Sequence, residues 1–120
     1  NEKGMERAID ANVNKILMGV SASETHSYKN TKMTVEEASN RIINMAKECV
    51  AAGAEVQVSV QSAFGCGFDG KIPVARVLDL VDKYLQNNLR NISLADTAGH
   101  ANPKLVEEIF TKIKINLLLK

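Results

Sequence analysis

The 120-residue sequence contains no tryptophan, and its other aromatic residues are limited to two tyrosines and three phenylalanines. Nucleic-acid bases therefore have few side chains on which to stack. Basic and acidic residues nearly cancel, at 15 and 14, which leaves a formal net charge of +1. This balance gives no electrostatic attraction to nucleic acid or to an anionic membrane surface, so we expect neither as a partner.

Long apolar runs and a cysteine framework are also missing. No run approaches the about 18 apolar residues of a membrane span. The two cysteines, Cys49 and Cys66, fit neither a zinc-binding spacing nor a secreted disulfide scaffold, so we expect a reducing compartment. No targeting peptide is visible. We predict a cytoplasmic protein, with the mitochondrial matrix as the alternative if a transit peptide precedes residue 1.

Helix-type and strand-type patterns alternate along the chain. Apolar residues at helical spacing predict four helices, over residues 2–12, from Thr34 to Gly53, from Pro73 onward and from Asn102 onward. Three short β-type runs between them predict strands, over residues 15–20, 55–60 and 91–95. Strands separated by helices are almost always parallel. The pattern therefore predicts an α/β fold, and its spacing fits a doubly wound sheet and a segment of a (β/α)₈ barrel equally well.

Each predicted strand is followed by polar residues or glycines. Because ligands bind at the carboxyl ends of parallel strands, we predict that this edge is functional. Asp96 lies where the third strand gives way to its loop, and alternation places Ser93 and Ala95 on one face of that strand. The Asp96 carboxylate fits two roles equally well, contact with a ligand and a cap for its own loop.

The other candidate side chains carry weaker signals. Cys66 stands between two glycines, which is more typical of a thiol under a tight turn than of a nucleophile, since no neighbouring His or Lys would lower its pKa. Cys49 lies on an apolar helix stripe and is predicted to be core. Glu24 fits substrate orientation, or a solvated loop in which it pairs with Lys29. The two histidines lie on separate loops, and no compact set of metal ligands is present.

Several segments together resemble the 3-hydroxy-3-methylglutaryl-CoA (HMG-CoA) lyase family and its metal-dependent lyase and Claisen-type relatives. The resemblance runs from Asn1 to about Lys112. It is carried by NEKG (1–4), SASE (21–24) with KN (29–30), TVEE (34–37), AFGC (63–66) with GKI (70–72), and ISLADTAG (92–99) with NP (102–103). The last two groups are the most specific.

The resemblance implies a partial TIM barrel that holds strands 4–6, so residues 1–120 would be one domain truncated at both ends. It also implies a carbon–carbon lyase that cleaves HMG-CoA to acetyl-CoA and acetoacetate, as in leucine degradation and ketone-body formation. The implied cofactor is Mg²⁺ or Mn²⁺. The family's metal ligands lie in segments outside this sequence, so we expect no metal ligands in this chain and no activity from it alone.

Position by position, the resemblance also assigns site residues. Ser93 and Asp96 match family positions that line the substrate pocket, and Asp96 is the candidate catalytic residue. Glu24 and Cys66 match positions near the pocket, and the implied substrate is an acyl-CoA. Residues 67–69 are Gly-Phe-Asp where the family usually has Pro-Tyr-Glu. The tail, residues 114–120, is expected to begin the next strand.

Two alternatives stay open. The parent protein could be a pyruvate carboxyltransferase-type Claisen synthase or an aldolase of the same barrel family, although the serine-rich loop after the first strand favours the lyase branch. Alternatively, the chain could be a non-catalytic partial barrel that associates with a companion chain or with a second copy as a homo-oligomer. Open strand edges favour such association.

Overall fold

The computed structural model describes residues 1–118, which form five helices and three strands. In chain order these are α1 (Glu2–Asp10), β1 (Lys15–Ser21), α2 (Glu24–Thr31), α3 (Val35–Ala51), β2 (Glu55–Gln61), α4 (Val74–Gln86), β3 (Ile92–Leu94) and α5 (Pro103–Leu118). Within this described part, none of the helices is both long enough and apolar enough to cross a membrane.

The three strands form one parallel sheet in the order β1-β2-β3, as the alternating pattern predicts. β1 pairs with β2 along its whole length, from Lys15 beside Glu55 to Ser21 beside Gln61. β3 pairs with the carboxyl half of β2, where Ser59 lies beside Ser93. The carboxyl ends of all three strands therefore meet at one edge of the sheet.

The helices cover one face of this sheet. On the central strand, every second side chain is buried: Val56, Val58 and Val60. The intervening side chains are only half-buried: Gln57, Ser59 and Gln61. Both α3 and α4 contact β2, so the valines face the helical layer. A doubly wound sheet carries helices on both faces, whereas the strands of a barrel turn one face to the helices and the other to the interior. The arrangement is that of a barrel segment.

Side-chain caps and a glycine mark helix ends at the predicted boundaries Thr34, Gly53 and Asn102. The Thr34 hydroxyl accepts a 3.1 Å hydrogen bond from the Glu37 backbone N–H and starts α3. The Glu37 carboxylate takes the Thr34 hydroxyl as its donor, at 3.2 Å. Gly53 follows the helix with a φ of +89°, a conformation that favours glycine. Asn102 Oδ1 accepts from the Leu105 N–H at 2.9 Å and caps α5.

Two parts of the chain differ from the sequence prediction. Residues 24–31 were expected to be a polar loop but form α2, which begins where the Ser23 hydroxyl accepts from the His26 N–H at 3.1 Å. The expectation that residues 114–120 begin a strand is wrong for residues 114–118, because α5 continues to Leu118. No proline or glycine interrupts that stretch, so nothing local ends the helix. Leu119 and Lys120 lie outside the described residues.

Candidate active site at the carboxyl edge of the sheet

The loops after the three strands are fastened to one another at the carboxyl edge. The Ala22 N–H donates to the Gln61 carbonyl at 2.8 Å, which joins the end of β1 to the end of β2. The Ser62 N–H donates to Thr97 Oγ1 at 2.8 Å, which joins β2 to the loop after β3. The edge is therefore a connected surface rather than three independent loops.

Asp69 links the loop after β2 to the start of α2. Its carboxylate accepts a 2.5 Å hydrogen bond from the Ser23 hydroxyl and also bonds the Thr25 hydroxyl. The Thr25 backbone N–H adds a third bond to the carboxylate at 3.2 Å. These donors stabilise the carboxylate and lower the pKa of Asp69. Ser23 is fully buried, so the link is anchored in the protein core.

The loop after β3 also packs directly on the loop after β2. Gly65 has a φ of +145°, and a Cβ atom built there would lie 2.4 Å from Nδ1 of His100. Only glycine permits the imidazole to approach the backbone this closely. The glycine before Cys66 thus gives space for a side chain from the neighbouring loop.

Asp96 lies in the exposed loop after β3, where its carboxylate organises the backbone. Its Oδ1 accepts from the His100 N–H at 2.8 Å, and its Oδ2 accepts from the Ala101 N–H at 3.1 Å. The loop-cap role is therefore present in the structure. A carboxylate offers about four acceptor sites, so two bonds to the loop leave acceptor capacity for a ligand. The two roles predicted for Asp96 are compatible.

Ser93 lies on β3, half-buried, on the sheet face that the helices leave uncovered. The strand register puts it beside Ser59, which in turn lies beside Gly19. The side chains in this row are small, so they leave open space on the barrel-interior face just below the carboxyl edge. Ser93 and Asp96 are thus close in the chain and belong to the same edge.

Cys66 is buried, with a relative exposure of 2%, inside a tight turn closed by two backbone bonds to Gly70. Burial alone raises the pKa of the Cys66 thiol, but hydrogen bonds from Ser23 and from the backbone N–H groups of Asp69 and Phe68 outweigh it and lower the pKa. The single Ser23 hydroxyl proton cannot serve Asp69 and Cys66 at once. Because the short bond goes to Asp69, the backbone donors are the firmer cause, with the Phe68 N–H 3.4 Å from the sulfur.

Glu24 and Cys49 occupy structural positions. Glu24 Oε1 accepts from the Val35 N–H at 2.6 Å, which caps α3, and the side chain borders a groove between α3 and α4. The alternative partner, Lys29, lies over the Phe68 ring at 4.2 Å instead. Cys49 is fully buried on α3, as predicted, and burial raises its pKa. The structure therefore groups Ser93, Asp96 and Cys66 along the edge and directs Glu24 towards the helical layer.

Sequence reasoning missed Gln61 and Ser59, which share the uncovered face with Ser93. The signal was available, because the alternation that predicts β2 also places its polar side chains on one face. A cavity of about 280 Å³ beside β1 is lined in part by Gln61, Ser21 and Gly19. Asp69 and Thr97 were also not singled out as residues that hold the loops together.

Metal ligands are the other component of interest. Within residues 1–118, no group of three or more His, Cys, Asp or Glu side chains is arranged to hold a metal ion. Of the two histidines, His26 lies on α2, with its Nε2 3.1 Å from the Asn30 amide nitrogen, and His100 lies in the loop after β3. The described residues therefore do not form a metal site by themselves.

Comparison with known proteins gives one consistent family. A family model described as HMGL-like matches residues 1–118. The hydroxymethylglutaryl-CoA lyase YngG of Bacillus subtilis is 28% identical over 109 residues, which cover 91% of this chain and 36% of that protein. The mitochondrial hydroxymethylglutaryl-CoA lyase of Rattus norvegicus is 31% identical over 113 residues, 94% of this chain and 35% of that protein. The chain thus spans about a third of the length of these curated relatives.

Solved structures agree with the sequence relatives. The crystal structure of the B. subtilis HMG-CoA lyase superposes with a TM-score of 0.90 at 27% identity, over 96% of this chain and 39% of that one. An HMG-CoA lyase from Acinetobacter baumannii, in complex with coenzyme A and 3-methylmalate, superposes with a TM-score of 0.86 at 36% identity. The superposition covers 94% of this chain and 37% of that one. The expected partial TIM barrel is confirmed, and the uncovered sheet face corresponds to the barrel interior.

Proposed function

The chain belongs to the HMGL-like family, and from this we propose that it forms one wall of the active site of a hydroxymethylglutaryl-CoA lyase. The observation that carries the proposal is the carboxyl edge of the sheet, where Ser93 lies on β3 and Asp96 follows in a loop that Thr97 joins to the end of β2. In TIM barrels this edge is where catalytic residues gather. The activity proposed for the whole protein is cleavage of HMG-CoA to acetyl-CoA and acetoacetate.

The proposed reaction defines what Asp96 has to do. Cleavage moves the proton of the substrate's 3-hydroxyl to a base as the new ketone of acetoacetate forms. The electron pair of the broken carbon–carbon bond goes to the acetyl-CoA carbon, which then takes up a proton. We propose that Asp96 accepts a hydrogen bond from the reacting hydroxyl and orients it, because its carboxylate is held by two backbone N–H groups and keeps acceptor sites free.

The other candidate residues differ in how directly they would act on the substrate. Ser93 offers a hydroxyl on the barrel-interior face, and we propose that it binds the substrate directly. Cys66 lies under the neighbouring loop, and we propose that it shapes the pocket wall from below, since its thiol is buried. Glu24 caps α3, and we propose that it acts on the substrate only through the position of the loop after β1.

A divalent metal, Mg²⁺ or Mn²⁺, is part of the proposal for the whole protein. The described residues do not fit such an ion by themselves, so its ligands would come from other parts of the protein. When bound, the metal would hold substrate oxygens and offset developing negative charge. The residues of this chain would bind and orient the acyl group beside it.

The proposed substrate class and compartment have indirect support. One structural neighbour is a complex with coenzyme A and 3-methylmalate, which favours an acyl-CoA here. Some relatives are described as mitochondrial and one as cytoplasmic, and both compartments keep cysteines such as Cys49 and Cys66 reduced. The open edges of β1 and β3 favour association with further barrel strands or with another chain, including a second copy.

The test is an assay of acetoacetate release from HMG-CoA by the full-length protein that contains this chain, with Mg²⁺ or Mn²⁺ added. We expect cleavage by the full-length protein and none by residues 1–120 alone. A full-length protein that folds, binds the metal and releases no acetoacetate would overturn the proposal. Activity with another acyl-CoA instead would indicate a Claisen synthase or aldolase of the same family.

A further inference from the structure

We propose that Gln61 is a further substrate-binding residue, whose carboxamide hydrogen-bonds the acyl part of the acyl-CoA inside the barrel. The inference rests on the proposed function and adds a specific contact to it. Gln61 is the last residue of β2, at the carboxyl end of the central strand. It belongs to the face that the helices leave uncovered, since its neighbours Val60 and Ser62 are buried and it is not.

The backbone places Gln61 beside the residues already assigned to the site. Ala95 donates its N–H to the Val60 carbonyl at 2.9 Å and accepts from the Ala63 N–H at 3.1 Å. These bonds extend the register of β2 and β3 by one step, so that Ala95 lies alongside Gln61. Asp96 is the next residue of the chain. The carboxamide is therefore on the strand adjacent to the proposed catalytic carboxylate, at the same level of the barrel.

The side chain of Gln61 lies against β1 and makes no hydrogen bond within residues 1–118. A Cβ atom built on Gly19 would lie 2.9 Å from Gln61 Nε2 and 2.2 Å from Ser59 Oγ. The carboxamide thus lies across Gly19 of the neighbouring strand, in space that any other residue would fill. Among residues 1–118, no group forms a hydrogen bond with this carboxamide. The amide also borders the cavity of about 280 Å³ beside β1, whose other walls come mainly from α2 and α3.

A partnerless amide on the interior of a barrel needs an explanation. TIM-barrel interiors are normally filled by layers of large branched apolar side chains, and a polar group enclosed there without a partner is costly. Here the uncovered face instead carries a half-buried amide above a row of small residues, Gly19, Ser59 and Ser93, and the remaining strands of a complete barrel would enclose it. A bound acyl group with carboxylate and hydroxyl oxygens would fill that space and satisfy the amide, which both donates and accepts.

The strand provides a matched control. Gln57 is the same residue type on the same strand and face, but it lies four residues, about 13 Å, towards the amino end. It is therefore outside hydrogen-bond reach of any group held at the carboxyl edge. A general effect of removing a glutamine from this face would appear at both positions, whereas a substrate contact would appear only at Gln61.

The experiment uses the full-length protein that contains this chain and compares Gln61→Ala, Gln61→Met and Gln57→Ala. Gln61→Met keeps the volume and shape of the side chain, so it stays informative if Gln61→Ala fails to fold. For HMG-CoA cleavage, we expect both Gln61 variants to lower kcat/KM by about tenfold, the loss expected for one hydrogen bond. The affinity for free coenzyme A, which lacks the acyl group, should stay within about twofold, and so should every parameter of Gln57→Ala.

The possible failures are distinguishable. If the wild-type protein cleaves HMG-CoA and the Gln61 variants match Gln57→Ala, Gln61 is not a substrate contact, and the proposed function stands. If the Gln61 variants weaken coenzyme A and HMG-CoA equally, the acyl assignment is overturned. If the wild type cleaves no HMG-CoA, the proposed function fails. In that case, calorimetry measures the affinity of each protein for HMG-CoA, and equal affinities of wild type and Gln61→Met would overturn the assignment of Gln61.

Discussion

The carboxylate of Asp69 accepts a 2.5 Å hydrogen bond from the hydroxyl of Ser23, which lies 46 positions earlier in the chain. Through this bond the loop after β2 is attached to the first turn of α2, and so to the loop after β1. Thr25 strengthens the attachment with its hydroxyl and its backbone N–H. One side chain therefore holds these two strand-end loops together, in addition to the backbone bond between Ala22 and Gln61.

Replacement of Asp69 by alanine should loosen α2 without unfolding the sheet. The Thr25 amide, now bonded to the carboxylate at 3.2 Å, should exchange with solvent about tenfold faster, because a hydrogen bond that protects it is lost. Hydrogen exchange read at individual amides measures this directly. Asp10→Ala, at the exposed end of α1, is the control and should leave Thr25 unchanged. Unaltered protection of Thr25 in Asp69→Ala would contradict the attachment.

The contrast between β2 and α2 shows how much of the fold the sequence predicts. β2 alternates valines with polar residues, and this period of two both predicts the strand and separates its faces. α2 has no apolar stripe, so its pattern resembles a loop. Its one signal is Ser23 at the N-cap, followed by Glu24 in the first turn.

The candidate site divides in the same way. Ser93 and Asp96 could be predicted because they belong to one continuous segment at a strand end. The contacts of Asp69 with Ser23, and of His100 with Gly65, join residues that are distant in the chain. They depend on the register of the strands and the course of the loops, which no local pattern encodes. Gln61 could have been placed on the interior face from alternation alone, but its freedom from partners is visible only in three dimensions.

The contact of α1 with α3 should weaken at acidic pH. Hydrogen bonds from the Arg41 guanidinium lower the pKa of Glu2 from its ordinary 4.5 to about 2. Because the folded pKa is depressed, the contribution of this pair to stability is complete above pH 4.5 and is lost as the pH falls through 2. Both side chains are substantially exposed, at 40% for Arg41 and 47% for Glu2, so we expect a small effect.

An NMR pH titration of α1 amides measures this dependence. In Glu2→Gln the charge is absent at every pH, so the difference from wild type should shrink as the pH falls from 4.5 and should be about half lost near pH 2. Glu6→Gln, at an exposed position on the same helix, serves as the control and should retain the wild-type titration of the Glu2 region. A difference between Glu2→Gln and wild type that persists unchanged at pH 2 would rule out the ion pair as its cause.

Tyr84→Phe should destabilise the fold by about 1 kcal/mol. The Tyr84 side chain is fully buried on α4, and its hydroxyl donates to the Ser59 carbonyl at 2.8 Å. Burial also raises the pKa of Tyr84, so the hydroxyl remains a donor. Its loss leaves a buried carbonyl with one bond fewer, a loss worth about 1 kcal/mol. Denaturant unfolding measures the change, and Tyr28→Phe, at a position 59% exposed, should shift it by less than about 0.5 kcal/mol.

Asp96 provides the sharpest separation of a structural role from a catalytic one. The carboxylate caps its loop through bonds from the His100 and Ala101 N–H groups. Asparagine keeps one side-chain oxygen for that purpose but removes the negative charge, whereas alanine removes both. If Asp96 contacts the reacting hydroxyl as proposed, Asp96→Asn in the full-length protein should lower kcat/KM for HMG-CoA by about 100-fold or more.

The thermal midpoint should meanwhile change little in Asp96→Asn, because the loop is exposed and one of the two bonds of its cap is retained. Asp96→Ala should lose activity to a similar degree and should also increase exchange of the His100 amide, which has lost its acceptor. Asp79→Asn, at an exposed position on α4 beside the groove between α3 and α4, should match wild type in both activity and amide exchange. Near-normal activity of Asp96→Asn, with reduced activity only in Asp96→Ala, would assign Asp96 to the loop alone and leave Ser93 and Gln61 as the polar contacts that this wall of the barrel offers to a substrate.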